Sequence, residues 1–360
     1  MSGPFVISGG GTGGHVMPAL AVGEALAAQG ERVLFVGSER GIEKRLVPEA
    51  GFELVTLDAR PVLGRGPLAR LGALFALLRG TLAARQVLRT RKARGVIAVG
   101  GYASVPAALA AVTLRLPMVL VNADAVPGLA NRLLARFARR IFAGWPGAAA
   151  ALGGGERVVM SGVPLRRALV EAFSVREPEK PREDERLHLF VFGGSQGARQ
   201  VNDALVAAIP ALEPTRLTVV HQTGERDREG IEKAWRAAGF DALVTAFERD
   251  MPSRYRWADL VVCRAGAISV AELTLAGRAA LLVPLAHVGG GEQFANAGEL
   301  ERVGAARVLD SRTLTPETFT RELLALLEDP ERLRTMGARA ASLARPDAAA
   351  AIATACRELA

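Results

Sequence analysis

Cysteine is nearly absent from this 360-residue chain: Cys263 and Cys356 are too few for a disulfide framework and match the usage of a reducing cytoplasm. Histidine is as sparse, with His15, His188, His221 and His287 at no metal-ligand spacing. No Asp-x-Asp pair occurs to hold the metal of a sugar nucleotide. Any bound phosphate must then meet helix ends and arginines rather than an ion, and neither metal nor cofactor is expected. A Walker loop is missing. No uninterrupted run of about 18 apolar residues is present, so no spanning helix is expected. Met1-Ser2-Gly3-Pro4 leads straight into strand-like Phe5-Val6-Ile7 without a basic or apolar leader, which predicts no signal peptide.

What remains is globular: half the residues are hydrophobic and 23% are charged. The length exceeds one comfortable core, so two domains of about 150–200 residues each are expected. The net charge of +8 is uneven. Residues 1–165 carry 19 Lys/Arg against 9 Asp/Glu, and the remainder 26 against 28. Between Asp58 and Asp124 stand ten basic residues and no acid. That asymmetry directs the first half at a polyanion: nucleic acid, anionic lipid headgroups or a multiply phosphorylated substrate. With only four lysines beside abundant alanine and arginine, composition bias is the alternative source.

Short apolar runs alternate with amphipathic stretches, the pattern of βα units and parallel sheets. They predict strands near 4–8, 32–36, 53–57, 95–99, 118–122 and 140–143. Residues 174–186, SVREPEKPREDER, have almost nothing to bury and read as an interdomain linker. Strands resume near 187–192, 216–221, 242–246, 259–263, 279–283 and 305–308, and a helix follows Pro346-Asp347. The expected fold class is α/β, with two doubly wound parallel-sheet domains facing a cleft.

Three glycine loops each follow an apolar run and open a helix: Ser8 to His15 (SGGGTGGH), Gly100-Gly101-Tyr102-Ala103-Ser104, and Gly193-Gly194-Ser195-Gln196-Gly197. Glycine permits φ > 0 and close approach of a phosphate, and the helix start offers unpaired N–H groups and a positive dipole end. Gly9, Gly11 and Gly14 also satisfy G-x-G-x-x-G, with Glu39 as a ribose partner in a dinucleotide reading. That reading leaves two further loops unexplained. His15 closes the first loop at a helix start, where the dipole keeps the ring neutral and suited to a general base. Glu272 falls on the first turns of a helix, placed to accept ribose hydroxyls. Glu292, Gln293 and Asn296 cluster at another helix entry, where amides suit sugar hydroxyls.

GGGTGGHVMPALAVGEAL, GGYASVPA, GGSQGAR, ADLVVCRAGAISVAEL and EQFANA follow one another across nearly the whole chain. In that order they resemble the MurG family, the bacterial undecaprenyldiphospho-muramoylpentapeptide β-N-acetylglucosaminyltransferases of peptidoglycan synthesis. The resemblance implies a GT-B fold of two Rossmann-like domains. Residues 1–165 would bind acceptor and membrane, joined by the final helix 346–360, and residues 166–345 would bind the donor. It implies a metal-independent, inverting transfer from UDP-N-acetylglucosamine to the C4 hydroxyl of the muramoyl sugar of undecaprenyl-linked lipid I, giving lipid II.

Carried over by motif, Thr12, Gly13 and Gly14 face the donor sugar and acceptor diphosphate, with His15 as base for the acceptor hydroxyl. Gly11, Gly13, Gly14, Gly100, Gly101, Tyr102 and Ser104 cradle the acceptor diphosphate. Arg166 and Ser195 bind the nucleotide end, and Asp124 stands at the acetamido sugar. Ala267, Ile268, Ser269, Val270 and Ala271 supply backbone donors, and Glu272 holds the ribose. Gln293 and Asn296 read sugar hydroxyls, while Glu248 meets uracil through its backbone. Two departures concern sugar and acceptor recognition. Val121-Asn122-Ala123-Asp124 stands where the family carries His-Glu-Gln-Asn. Glu292 replaces Gln or His after an unusual Gly289-Gly290-Gly291.

A lipid acceptor implies a peripheral enzyme on the cytoplasmic face of the bacterial cell membrane, with cell-wall synthesis proteins rather than nucleic acid as partners. Residues 60–94 combine Leu63, Leu68, Leu71, Leu74, Phe75 and Leu78 with nine basic residues and no acid. They read as a patch for the anionic inner-membrane surface, worth about 1 kcal/mol per favourably placed basic side chain. A buried helix face is the alternative. Three rival functions stay open: a related GT-B transferase with another lipid acceptor, a UDP-sugar epimerase needing acid/base groups beyond His15, and a nicotinamide oxidoreductase that explains the first loop alone.

Overall fold

A computed structural model describes residues 3–39, 41–57, 67–174, 186–194, 197–286 and 291–360, apart from the side chains of 67–71 and 73. The expectations for Ser195, for His287 and Gly289-Gly290, for linker residues 175–185, and for the side chains of Leu63, Leu68 and Leu71 lie outside the described residues. The chain divides into two compact units, Met1–Arg167 with Arg345–Ala360, and Ala168–Ala344.

The first unit is built on seven parallel strands: β1 Phe5–Gly9, β2 Val33–Ser38, β3 Glu53–Leu57, β4 Gly95–Gly100, β5 Met118–Asn122, β6 Arg140–Ala143 and β7 Val158–Met160. Their order is β3-β2-β1-β4-β5-β6-β7. The central strands are buried on both faces, which is why Phe5-Val6-Ile7 and Val96-Ile97-Ala98-Val99 are apolar without alternation. Their side chains still divide with a period of two. Val6, Val96, Ala98 and Leu120 pack with Ala84, Leu88 and Ala107 on one face. Ile7, Ile97 and Val119 pack with Val16, Leu20 and Leu26 on the other. The helix Ala348–Leu359 joins this second face through Ile352, Ala353 and Cys356.

The second unit repeats the plan with β8 Leu187–Phe192, β9 Leu217–Gln222, β10 Leu243–Thr245, β11 Leu260–Cys263, β12 Ala279–Leu282 and β13 Ala306–Val308. These run parallel in the order β10-β9-β8-β11-β12-β13. Leu189, Val191, Val262 and Leu281 form its core with Trp235, Phe319 and Leu323. The strand order reverses between β1 and β4 and again between β8 and β11. At such switch points the loops leaving the carboxyl ends diverge and open a crevice. The loops after those four strands are the three glycine loops and the segment 264–267, so the fold itself collects the motif residues.

Candidate active site

In the first unit the loop after β1 opens the helix Gly13–Ala28, with Thr12 extended at the N-cap (φ −134°, ψ 162°). No acidic side chain stands in the first turn, so nothing within the helix itself offsets its positive dipole end. His15 lies in that turn, Nδ1 3.1 Å from Thr12 Oγ1. The loop after β4 packs on the ring: a Cβ at Gly100 would sit 2.9 Å from His15 Cδ2, and one at Gly101 2.7 Å from Gly10 O. Both positions also hold left-handed φ, +103° and +74°, so close approach and conformation together demand glycine. Tyr102 lies over Gly11, its Cε1 3.0 Å from where a Cβ would be. The structure therefore brings Gly11, Thr12, Gly13, Gly14, His15, Gly100, Gly101 and Tyr102 together. Ser104 is buried and donates its hydroxyl to Gly101 O (2.9 Å), which shapes the loop from behind.

Glu43, which no motif contains, anchors this cradle. Glu39, the ribose partner of the dinucleotide reading, is exposed, whereas Glu43 is 1% exposed. Its Oε1 accepts from Ser38 N (2.8 Å) and Ser38 Oγ (2.9 Å), and its Oε2 from Gly11 N (2.9 Å). Gly10, Gly37 and Gly41 clear the space for it, since a Cβ at these positions would lie 2.2, 2.6 and 1.9 Å from its side chain. Ser38 Oγ is also 3.5 Å from Tyr102 Oη, so one buried carboxylate ties together the ends of β1, β2 and β4.

The altered stretch after β5 connects to the same cradle. Asn122 donates Nδ2 to Asp124 O (2.6 Å) and accepts at Oδ1 from Asn131 Nδ2 (2.8 Å). The Asn131 amide stands 3.2 Å from a Cβ position at Gly100. Arg166 belongs to the first unit and pairs there with Glu24 of the helix Gly13–Ala28 (Nε to Oε1 2.7 Å).

In the second unit Gly266 caps the helix Ala267–Ala276 in extended conformation. Val270 N bonds back to Gly266 O (3.0 Å), which leaves the amides of Ala267, Ile268 and Ser269 without intrahelical partners. Glu272 Oε2 accepts from Tyr255 Oη (2.8 Å). Desolvation pushes the Glu272 carboxyl up to about 7, partly offset by that hydrogen bond. Tyr255 is wholly buried, edge-on to Phe190 and Phe192. Its phenol is held well above its ordinary range by burial and by the Glu272 charge.

Gln293 Oε1 accepts from Leu285 N (2.8 Å), and buried Asn296 donates to Ala265 O (3.1 Å). Both therefore hold loops that leave β11 and β12. The Glu248 side chain accepts from Arg249 N, Asp250 N and Arg254 Nε. Desolvation opposes its charge, yet the Arg254 bond and the backbone amides keep its carboxyl below the usual range. Among the described residues no group of three or more His, Cys, Asp or Glu could hold a metal ion.

The chain matches the N-terminal domain of glycosyltransferase family 28 over residues 5–143 and the C-terminal domain of that family over residues 188–352. A UDP-N-acetylglucosamine--N-acetylmuramyl-(pentapeptide) pyrophosphoryl-undecaprenol N-acetylglucosamine transferase from Anaeromyxobacter sp. (strain Fw109-5) is 42% identical, over 99% of this chain and 93% of its own. The enzyme of the same name from Acidithiobacillus ferrooxidans is 43% identical, over 100% of this chain and 99% of its own. The crystal structure of Acinetobacter baumannii MurG matches with a TM-score of 0.82 at 29% identity, over 99% of each chain. With both domains matched and these relatives alike from end to end, the chain belongs to the MurG family within glycosyltransferase family 28 and has its GT-B fold.

Proposed function

We propose that this protein transfers N-acetylglucosamine from UDP-N-acetylglucosamine to the C4 hydroxyl of the muramoyl sugar of lipid I, forming lipid II with inversion. The observation that carries the chemistry is His15, fixed at an open helix start between two glycine loops. The likeness to enzymes named for this transfer supplies the substrates.

The acceptor diphosphate rests on the amides of Thr12 to Gly14 and on the Gly100–Ser104 loop, where two helix starts meet its charge, while Gly11, its own N–H held by Glu43, shapes the approach. In the tautomer that donates Nδ1–H to Thr12 Oγ1, His15 carries its lone pair on Nε2 and takes the proton of the attacking hydroxyl. The oxygen bonds to the anomeric carbon as the bond to UDP breaks on the opposite face. Charge developing on the UDP diphosphate is received by the helix starts after β8 and β11, with Ser195 at a phosphate. Ionised Glu272 accepts the ribose hydroxyls, and the Glu248 backbone meets uracil while its side chain is held by Arg254. Gln293 and Asn296 act at the sugar by fixing their loops, and Asp124 and Arg166 complete the donor contacts.

The lipid acceptor calls for a peripheral position at the cytoplasmic face of the membrane. The helix Pro67–Thr90 supports it by exposing Leu74, Phe75, Leu78 and Leu82, each 55–63% accessible, beside Arg79 and Arg89. Its buried side is Gly80, Ala84 and Leu88, so the buried-face alternative does not account for those four side chains. Leu129, Leu133 and Phe137 form a second exposed strip among Arg132, Arg136 and Arg139. Among the described residues no helix is long and apolar enough to cross a membrane.

Purified protein given UDP-N-acetylglucosamine and lipid I in EDTA should release UDP and yield a lipid heavier by one N-acetylhexosamine. His15→Ala should cut turnover by about 10²- to 10⁴-fold with UDP affinity unchanged. Full turnover in that variant removes His15 from the role. Transfer to a different lipid, or epimerised nucleotide sugar without acceptor, overturns the substrate assignment.

A further inference from the structure

We propose that Gln222 is a positioning residue that sets the spacing between the phosphate and base subsites of the donor. The proposal rests on the donor reading of the second unit. Gln222 ends β9 and is 3% exposed, so its amide must find partners inside the protein. Oε1 accepts from Gly193 N (3.2 Å), an N–H shared with the Gln222 carbonyl (3.3 Å). Nε2 donates to Gly194 O (3.0 Å) and to Ala246 O (2.8 Å).

One side chain therefore grips two backbone segments that its own strand separates. The first is the head of the third glycine loop, where Gly194 holds φ +77°. The second immediately precedes Phe247-Glu248, the uracil segment. Ala246 O also receives Gly224 N (3.1 Å). Beneath this, Asn202 donates to Thr223 O (3.0 Å) and is itself bonded to His221, whose Nδ1 accepts from Trp235 Nε1 (3.3 Å). The support is buried and hydrogen-bonded, while the two ligand-facing segments meet through the Gln222 amide.

In UDP the diphosphate and the uracil are joined through ribose, which confines their separation to a limited range, so both subsites must stand within it before either contact helps the other. An amide bonded to both backbones holds that separation in the free protein. Without it, UDP has to impose the spacing as it binds, whereas a fragment that fills one subsite has nothing to impose.

The test titrates full-length wild type and Gln222→Met, which keeps the side-chain volume but loses all three contacts, with UDP, uridine and inorganic pyrophosphate. UDP affinity should fall about ten-fold, the scale of one or two hydrogen bonds, while each fragment stays within about two-fold. In turnover the KM for UDP-N-acetylglucosamine should rise, with kcat and the KM for lipid I held. Unchanged UDP affinity overturns the proposal, and so does a fragment weakened as much as UDP, which marks Gln222 as local support of one subsite. Should Gln222→Met fail to fold, Gln222→Asn keeps a buried amide one methylene short of Ala246 O and is judged by the same outcomes. Wild-type protein that does not bind UDP overturns the donor reading and this proposal with it.

Discussion

Donor affinity should depend on pH through Glu272. Its carboxyl is raised from an ordinary 4.5 to about 7, chiefly by desolvation. Ribose hydroxyls donate to the ionised form and so lower its pKa in the complex. Binding is then linked to loss of a proton, and affinity falls as pH drops through about 7. At pH 6 about nine-tenths of the free carboxyl is protonated, against about one-tenth at pH 8, so Kd should rise about ten-fold, or about 1.4 kcal/mol. The ligand to use is UDP-N-acetylglucosamine, whose diphosphate is esterified at both ends and does not titrate in this interval. Calorimetry in buffers of different ionisation enthalpy should show about half a proton released near pH 7. Glu272→Gln should bind weakly with no slope. Tyr255→Phe removes the one hydrogen bond that lowers the carboxyl, so its midpoint moves up. Folding runs the other way. With the folded value above the ordinary one, the associated stability is whole below 4.5 and lost as pH rises through about 7. The loss is on the order of 3 kcal/mol and is absent in Glu272→Gln. A flat wild-type Kd from pH 6 to 8, or an equal slope in Glu272→Gln, would refute the assignment.

Glu43→Gln presents an amide N–H₂ to donors at Ser38 or Gly11 and leaves one of them unpaired, costing about 1–3 kcal/mol. Thermal denaturation should register that loss, and the KM for lipid I should rise while that for UDP-N-acetylglucosamine holds. Equal rises would show general loosening instead of a cradle effect. Replacing Leu78 and Leu82 together by aspartate should leave the melting temperature unchanged, because both side chains are already exposed. Binding to anionic vesicles should be lost in that variant, and wild-type binding should weaken with added salt. Wild-type binding indifferent to lipid charge and salt would count against the membrane face.

Every strand except β7 was legible, the central ones because a parallel strand buried on both faces is a continuous apolar run between turn residues, and less buried ones such as β3 and β10 by their short apolar runs. β7, an edge strand of three partly buried residues, offers only Val158-Val159-Met160 as a run. The glycine loops were legible for the same reason: each punctuates a strand and opens a helix. What could not be read was which strand neighbours which. Nothing in a period of two reveals that β4, ninety residues after β1, lies beside it, and that adjacency puts Gly100 and Gly101 on the His15 ring. Glu43 and Gln222 escaped for a related reason. Glu43 meets Gly11 across 32 residues and Gln222 meets Gly193 across 29, whereas a motif records only residues close in sequence. His221 illustrates the converse. It carried no ligand spacing, and burial lowers its pKa to about 3, so it serves the fold as a neutral ring between Asn202 and Trp235.

The departure at Val121–Asp124 acquires a physical meaning from its neighbours. Asn122 and Asn131 are 2% and 5% exposed, and each polar contact of Asn122 given above goes to this chain's own groups. An acidic residue in place of Asn122 could accept from Asn131 but could not donate to Asp124 O. Asn122 thus closes the turn carrying Asp124, and Asn131 carries that closure to the back of Gly100. The substituted stretch therefore sets the turn that carries Asp124 and packs behind the loop after β4. Differences in specificity between this chain and its relatives should accordingly appear in the acceptor KM and in discrimination at the acetamido group, with uridine recognition retained.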